Sequence, residues 1–271
     1  MTVISPSYQL SDEQWEQIKD MFPANGQRGG QWKDHRLMVD AILWVLSDGG
    51  RWRNVPKRFG PWQTVYDRFN KWCREGFWDR ILRRIQAYKM NSGEIDWELF
   101  AIDGTVIRAH QSAAGAPEKK NRPSDEPADH ALGRSQGGFS TKLHLICDAK
   151  GTPIAVSVSP GQEHETQQFE ALMEEATAWP EQPKKLAGDK GYSADWIRDW
   201  LKERGIKPVI PYKSNEKGHR KKFDSESYRK RNIIERCVNS LKWFRRVATR
   251  YEKLATNYLG MVNLAIIFRL L

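Results

Sequence analysis

The first ninety or so residues carry apolar side chains at the spacing of helices. An apolar stripe that ends at Gly49 predicts a core helix. A capping box at Ser11 begins a shorter helix, and Pro61 stands where the next one starts. With a further helix predicted over about 75–88, residues 1–93 are expected to form an all-helical domain.

The turn before Pro61 gives this helical region a second interpretation. Three or four short helices with a glycine turn resemble a helix-turn-helix, in which Gln63, Thr64 and Arg68 would face a DNA major groove. The alternative is a helical bundle used for packing or dimerisation. The pattern of apolar positions does not separate the two.

After a predicted linker at 90–94 the pattern changes to strands that alternate with helices. The segment 99–107 is apolar on both faces, which is typical of a central strand. A long loop over about 108–140 follows. The remaining elements, in the order strand, strand, helix, strand, helix, strand, helix, helix, are predicted over 141–147, 153–159, 165–178, 184–187, 194–204, 207–211, 227–244 and 257–270. Residues 94–271 are therefore predicted to form an α/β domain with this loop insertion.

Positive charge is concentrated toward the end of the chain. The whole sequence has 44 basic and 34 acidic residues, and the window 212–253 alone has 14 basic and 5 acidic ones. Such a segment favours contact with nucleic-acid phosphates, although a solvated tail has the same composition. Arg134 and Lys142 border a glycine-rich loop that would reach a DNA backbone.

Other classes of protein are disfavoured. No stretch approaches the roughly 20 apolar residues of a membrane span, and the first residues lack the pattern of a secretion signal. Cys73, Cys147 and Cys237 lie far apart, which indicates reduced thiols rather than a disulfide framework. We expect a cytoplasmic protein without a membrane segment.

Two aspartates lie at unusual places in the predicted sheet. Asp103 falls within the central strand, where a buried carboxylate needs compensation from a cation or from hydrogen bonds. Pairing with an arginine such as Arg108 is the alternative. Asp189 follows the predicted strand 184–187 in a glycine-rich turn, a position where sites of α/β proteins gather.

A third carboxylate, Glu235, lies on the predicted helix 227–244. It shares one helical face with Tyr228, Arg231, Asn239 and Lys242, since these positions are spaced three or four residues apart. A surface helix with internal salt bridges has the same spacing. If the sheet has the ribonuclease H arrangement, Asp103, Asp189 and Glu235 converge and offer the oxygen ligands that Mg²⁺ prefers for phosphate chemistry.

These residues carry a resemblance to a known family. Tyr228, Arg231, Glu235 and Lys242 match the Tyr-x2-Arg-x3-Glu-x6-Lys signature of DDE transposases from bacterial insertion sequences. The segments 189–192 and 102–110 resemble that family's two aspartate motifs. Segments 51–56 and 59–66 resemble the insertion-sequence-five type, so the resemblance covers almost the whole chain.

The resemblance implies a ribonuclease H-like mixed sheet flanked by helices, which follows an N-terminal helical domain. It implies two Mg²⁺ ions, replaceable by Mn²⁺, on Asp103, Asp189 and Glu235. The enzyme would bind the terminal inverted repeats of its element as a homodimer. Water would release a 3′ hydroxyl that then attacks target DNA, with no covalent protein intermediate. Such a protein would act in the bacterial cytoplasm, associated with the nucleoid when bound to DNA.

Several residues are predicted to contact DNA near these carboxylates. Arg231 and Lys242 would clamp phosphates, although pairing of the two with Glu235 is the alternative. Tyr228 would stack on or bond a strand end. Trp243 would stack on a base, but core packing is the favoured interpretation for it.

Two neighbouring residues of segment 161–165 complete the set. His164 is expected to border the site. Glu165 is interpreted as a charge at a helix start rather than as a fourth ligand. 

Two other functions remain as alternatives. A nuclease or resolvase uses the same fold, because a fold does not fix a function. A non-catalytic DNA-binding derivative of a transposase is expected to have lost a carboxylate, whereas all three are present in this sequence.

Overall fold

The computed structural model of the chain describes residues 9–24, 33–116, 123–135, 137–214 and 223–271. These residues form two compact units. The helical unit takes its residues from Met1–Ala87, Ser112–Glu126 and Leu241–Leu271, and the sheet unit takes its residues from Tyr88–Gln111 and Pro127–Ser240. This division differs from the single predicted boundary at 93/94, because the chain passes between the units four times.

The elements follow the chain in a mixed order. The helices are α1 Asp12–Glu16, α2 His35–Asp48, α3 Trp62–Arg74, α4 Phe77–Asn91, α5 Phe169–Ala176, α6 Asp195–Glu203, α7 Ser225–Lys230, α8 Asn232–Leu241, α9 Arg245–Ala248 and α10 Ala255–Leu270. The strands that build the sheet unit are β1 Phe100–Ala109, β2 Gly133–Ser135, β3 Gly138–Cys147, β4 Pro153–Pro160, β5 Lys185–Ala187 and β6 Lys207–Val209.

The helical unit begins with the helices that the sequence predicts. The capping box at Ser11 is present, and Asp34 caps α2 by accepting a hydrogen bond from the backbone N–H of Leu37. Gly49 ends α2 in the left-handed conformation, with φ of 73°, where glycine has no steric cost. Helix α10 packs against α2 and α3 and is buried over most of its length, as its largely apolar sequence requires.

The segment 112–126 joins the helical unit through one carboxylate. Glu126 accepts hydrogen bonds from the backbone N–H groups of Ala255, at 2.7 Å, and Thr256, at 2.9 Å. These groups open α10, so the negative charge also lies at the positive end of the helix dipole. The predicted loop insertion thus supplies the N-terminal cap of α10.

The sheet unit has the predicted ribonuclease H-like arrangement. The strand order is β4-β3-β1-β5-β6, and β2 lies beside the first residues of β3. Strand β1 is antiparallel to β3, with Asp103 opposite Leu145, and parallel to β5, with Ala101 opposite Ala187. Helices α5 and α6 pack on the sheet, and their core includes Phe169, Trp200 and the ring of Tyr192. The predicted mixed sheet flanked by helices is confirmed.

The predicted elements differ from the observed ones most clearly in three places. Strand β2 lies within the predicted loop, and α4 continues through most of the predicted linker to Asn91. The predicted helix 227–244 is α7 followed by α8, with a turn at Arg231 between them. Within the described residues no helix is long and apolar enough to cross a membrane. Residues 117–122 and 136 of the predicted loop insertion lie outside the described residues, as do Lys217, Arg220, Lys221 and Lys222 of the basic window.

Candidate active site

Asp103 and Asp189 lie at matching positions along two neighbouring parallel strands, with Asp103 inside β1 and Asp189 two residues beyond the end of β5. Asp103 stands two residues after Ala101, and Asp189 stands two residues after Ala187, its partner in the parallel register. The two carboxylates therefore lie close together beside the end of β5, where its glycine-rich turn begins. The sequence-based expectation that these two aspartates converge agrees with this register.

The side chain of Asp103 is 21% exposed and lies among other charged groups. Its Oδ1 accepts a hydrogen bond from the backbone N–H of Gly104, and its Oδ2 lies 3.6 Å from Nη1 of Arg231. Burial raises the pKa of Asp103 to about 6, against the lowering effect of Arg231, and the carboxylates of Asp189 and Glu165 add to the rise. Asp103 thus pairs with Arg231 and not with Arg108, the alternative that the sequence suggested.

Asp189 is fixed by the turn that it begins. Its Oδ1 accepts a hydrogen bond from the backbone N–H of Gly191 at 2.7 Å, which caps the short 3₁₀ turn Lys190–Tyr192. The ring of Tyr192 then enters the core, fully buried. One carboxylate oxygen is thereby held by the backbone.

Glu235 is linked to Asp103 by the side chain of Arg231, which contacts both carboxylates. The guanidinium of Arg231 donates to Oε1 of Glu235 and also approaches Asp103, so one cation lies between two of the three predicted carboxylates. The turn between α7 and α8 falls at Arg231 itself. The side chain of Glu235 remains 44% exposed, which leaves it accessible from solvent.

The donor set suits a divalent cation of the magnesium type. Carboxylate oxygens are its preferred ligands, and the mutual repulsion of Asp103 and Asp189 is what a cation relieves. The hydroxyl of Tyr192 is buried near these charges and has no hydrogen-bond partner among the described residues. Among the described residues, no group of three carboxylate, imidazole or thiol side chains is close enough together to hold an ion.

The structure places one further carboxylate at the site. Glu165 begins the 3₁₀ turn Glu165–Gln168, as its interpretation as a helix-start charge requires. However, its side chain points inward, and its charge acts on Asp103 and on Tyr192. The signal in the sequence was the pair of glycines, Gly104 and Gly191, that follow the two aspartates and leave room for this side chain.

Two predicted DNA contacts are wrong. Arg68 is buried, and its Nη1 lies 3.1 Å from Nδ1 of His35, so it cannot face a groove. Lys142 is also buried, because β3 turns it toward the site. Its Nζ donates to the backbone carbonyl of Glu163 and lies 3.7 Å from Oε1 of Glu165.

Four other residues predicted to contact DNA have side chains that solvent, and therefore DNA, can reach. Gln63 is exposed and Thr64 is half-buried on α3. Arg134 is exposed and lies over the ring of Phe139. Trp243 is 74% exposed, which overturns the favoured interpretation that it packs in the core.

The side chains of the remaining predicted contacts take part in local structure or are half-buried. His164 is exposed and caps the turn that Glu165 begins, where its Nδ1 meets the backbone N–H of Thr166. Tyr228 is half-buried beside the cluster of Leu99, Ala187 and Val209. Lys242 directly follows α8 and is half-buried.

Two family models match the chain. Residues 10–82 match the model described as putative transposase of the IS4/5 family, and residues 97–270 match the transposase DDE domain. The fold and the carboxylates at the sheet edge define a ribonuclease H-like protein. The second match extends over more than half of the sequence, so this chain belongs to the transposase DDE domain family.

Several relatives are similar over parts of the chain. A putative transposase for insertion sequence element IS6501 of Brucella ovis is 31% identical over 128 residues, which cover 47% of this chain and 95% of that protein. A putative transposase for insertion sequence element IS402 of Burkholderia cepacia is 28% identical over 151 residues, which cover 52% of this chain and 63% of that protein. The chain is thus a DDE transposase of an insertion sequence, and the predicted family is confirmed.

Solved structures give a weaker likeness. The Mos1 transposase paired-end complex with left transposon end covers 86% of this chain and 87% of its own, at 13% identity and a TM-score of 0.28. The crystal structure of a pre-cleavage Mos1 transpososome gives the same TM-score at 14% identity, and covers 95% of this chain and 84% of its own. The ribonuclease H-like assignment therefore rests on the strand order described above.

Proposed function

We propose that Asp103, Asp189 and Glu235 form the catalytic centre with which this transposase cleaves DNA and joins strands. The observation that carries the proposal is the register of β1 with β5, which places Asp103 within β1 next to Asp189 just after β5. Arg231 connects this pair to Glu235. Two acidic groups held together at a partly buried position repel each other, which costs free energy. A catalytic role explains why the fold keeps them there.

The three carboxylates would hold two Mg²⁺ ions, for which Mn²⁺ substitutes. Two such ions activate the attacking oxygen and stabilise the leaving oxygen of a phosphodiester. The backbone N–H groups of Gly104 and Gly191 fix one oxygen of each aspartate and so orient both groups. Arg231 would exchange its carboxylate contacts for a DNA phosphate, which guanidinium groups bind well.

The DNA partners of the proposal are the terminal inverted repeats of the element and the target duplex. Exposed Arg134 and Trp243, together with Tyr228, Lys242 and Gln63, supply candidate contacts to backbone and bases. Because two element ends have to be brought together, we infer that the chain works as a homodimer on DNA. The N-terminal helices would contribute DNA binding or dimerisation.

The test is a cleavage and joining assay on a labelled duplex that carries the element's end. We expect nicked and joined products with Mg²⁺ from the wild type, and at least a hundredfold less of both from Asp189→Asn and Glu235→Gln. Glu174→Gln removes an exposed carboxylate of α5 and serves as the matched control, with wild-type yield.

The other outcomes would contradict the proposal in distinct ways. Free 3′ ends without joined product would indicate a nuclease or resolvase. Binding without cleavage, in Mg²⁺ and in Mn²⁺, would indicate the DNA-binding derivative. Activity retained by both variants would remove Asp189 and Glu235 from the centre.

A further inference from the structure

The side chain of Glu165 occupies space that two glycines leave open. A Cβ atom at Gly104 would lie 3.0 Å from Cγ of Glu165 and 3.3 Å from its Oε1. A Cβ atom at Gly191 would overlap Oε2 of Glu165 and would lie 2.8 Å from Oδ1 of Asp189. The carboxylates of Glu165 and Asp189 therefore approach the same point.

Two buried polar atoms lie beside this carboxylate and have no hydrogen-bond partner in the part of the chain that the structure describes. Nδ1 of His144 is fully buried and would be 3.3 Å from the same Cβ position at Gly104 that Glu165 approaches. The other nitrogen of His144, Nε2, meets Oγ of Ser159 at 2.9 Å. The hydroxyl of Tyr192 is likewise buried, and neither it nor Nδ1 finds a hydrogen bond within the described residues. Buried polar groups of this kind are normally satisfied, so these atoms indicate that a ligand or its bound water completes the region.

The charges around Glu165 are not balanced. Glu165 lies beside the carboxylate of Asp189, since both approach the Cβ position of Gly191. Nζ of Lys142 lies 3.7 Å from Oε1 of Glu165 and donates a hydrogen bond to the carbonyl of Glu163. Asp103 and Glu235 already share Arg231. The carboxylates of Asp103, Asp189 and Glu165 thus lie within reach of one another's charge, which is the arrangement that a bound divalent cation stabilises.

We propose that Glu165 is a fourth carboxylate of the catalytic centre and binds a divalent cation together with Asp189. The inference rests on the proposed function, because it assumes that the cation binds at Asp103 and Asp189. It extends that function by one ligand, which comes from the turn after β4 and is additional to Asp103, Asp189 and Glu235. Gly104 and Gly191 are then required by the approach of Glu165, in addition to any role in the backbone turn.

Titration of Mn²⁺ into the DNA-free full chain, followed by calorimetry, tests the proposal without a reaction. We expect Glu165→Gln to weaken Mn²⁺ binding at least tenfold, and Asp189→Asn to do the same. Glu174→Gln, which neutralises an exposed carboxylate nearby in sequence, is expected to bind as the wild type does. Since Glu165 is repelled by its neighbour, the metal-free Glu165→Gln protein should unfold at or above the wild-type temperature, so that weak binding reflects the lost ligand.

Each contrary outcome has a separate meaning. Wild-type Mn²⁺ affinity in Glu165→Gln, together with a loss in Asp189→Asn, would overturn the fourth carboxylate and leave the proposed centre intact. Wild-type affinity in both Asp189→Asn and Glu235→Gln would overturn the centre itself. If Glu165→Gln does not fold, Glu165→Asp keeps the charge on a shorter side chain and must still weaken binding for the proposal to stand.

The variant Lys142→Met provides a second test, which distinguishes a metal ligand at Glu165 from a purely structural ion pair between Glu165 and Lys142. If Glu165 served only to neutralise Lys142, replacing Lys142 by Met would leave Mn²⁺ binding unchanged. As a ligand, Glu165 is expected to bind Mn²⁺ several-fold more tightly in Lys142→Met, because the competing cation at 3.7 Å has been removed. Unchanged or weaker binding would count against the proposal.

Discussion

Asp103 is held by the fold in a state that favours its protonated form. Its folded pKa of about 6 lies above the value near 3.8 of an unperturbed aspartate. The folded protein therefore binds this proton more tightly than the unfolded chain does. For that reason the contribution of Asp103 to stability is most favourable at low pH and is lost as the pH rises from about 4 to about 6.

Asp103→Asn should thus stabilise the metal-free protein at neutral pH. The expected gain is about 1–3 kcal/mol above pH 6, and it should vanish near pH 4, since asparagine carries no charge at either pH. Urea unfolding at both pH values, with a chelator present, measures the difference. Asp199→Asn on the exposed face of α6 is the control, for which a change below about 0.5 kcal/mol is expected. An equal gain at both pH values would contradict the explanation.

At the scale of single residues, the sequence is most informative where a motif has fixed spacing. Asp103 and Asp189 lie together as predicted, because strand and turn patterns place them at one sheet edge. Arg68 and Lys142 were misassigned, since a basic residue on a predicted element has no mark that tells whether its side chain turns inward. Glu165 lay outside the family signature, and only the register of β1 with β5 and the turn after β4 bring it to the site.

At the scale of elements, caps and periodicity predicted most boundaries. Ser11, Asp34 and Gly49 each act at the helix end where their chemistry is favourable. The break between α7 and α8 has no signal in the sequence, because it falls at Arg231 and arginine normally favours a continuous helix. Strand β2 is only three residues long, too short for an alternation of apolar and polar positions to appear.

Packing of α10 against α3 sets a requirement for glycine within a helix. A Cβ atom at Gly260 would overlap Sγ of Cys73 and would lie 3.4 Å from Cδ1 of Trp78. Alanine normally favours a helix by about 1 kcal/mol over glycine, so this glycine is retained for its small size. Two helix backbones approach closely at this point.

Gly260→Ala should accordingly destabilise the protein by about 1–3 kcal/mol, the usual cost of overpacking a core. In a Cys73→Ala background the sulfur is absent, and the same substitution should become neutral or stabilising. A double-mutant cycle from urea unfolding gives the coupling between the two positions. An equal cost in both backgrounds would show that the contact with Cys73 is not the cause.

At the scale of the whole molecule, sequence order and spatial grouping do not coincide. The helical unit needs α10 from the far end of the chain and the cap that Glu126 provides to it. A predicted boundary at 93/94 follows the change of pattern from helices to strands. That change does not indicate which later segments return to the helical unit. The pattern of apolar and polar positions alone therefore cannot predict that 112–126 and 241–271 belong to it.

A fragment of residues 1–93 is therefore expected not to fold cooperatively by itself. It lacks α10, whose buried side chains pack against α2 and α3. Circular dichroism should show low helicity and a broad thermal transition, and addition of a peptide of residues 241–271 should increase the helicity beyond the sum of the two spectra. A sharp unfolding transition of the fragment alone would refute the expectation.

The interleaved course of the chain also has a consequence for synthesis on the ribosome. Domains usually form in the order in which their residues emerge. Here every residue of the sheet unit has been translated by Ser240, whereas the helical unit is still waiting for 241–271. A nascent chain thus completes its carboxylate-bearing sheet first, and the helices that were translated earliest reach their final packing last.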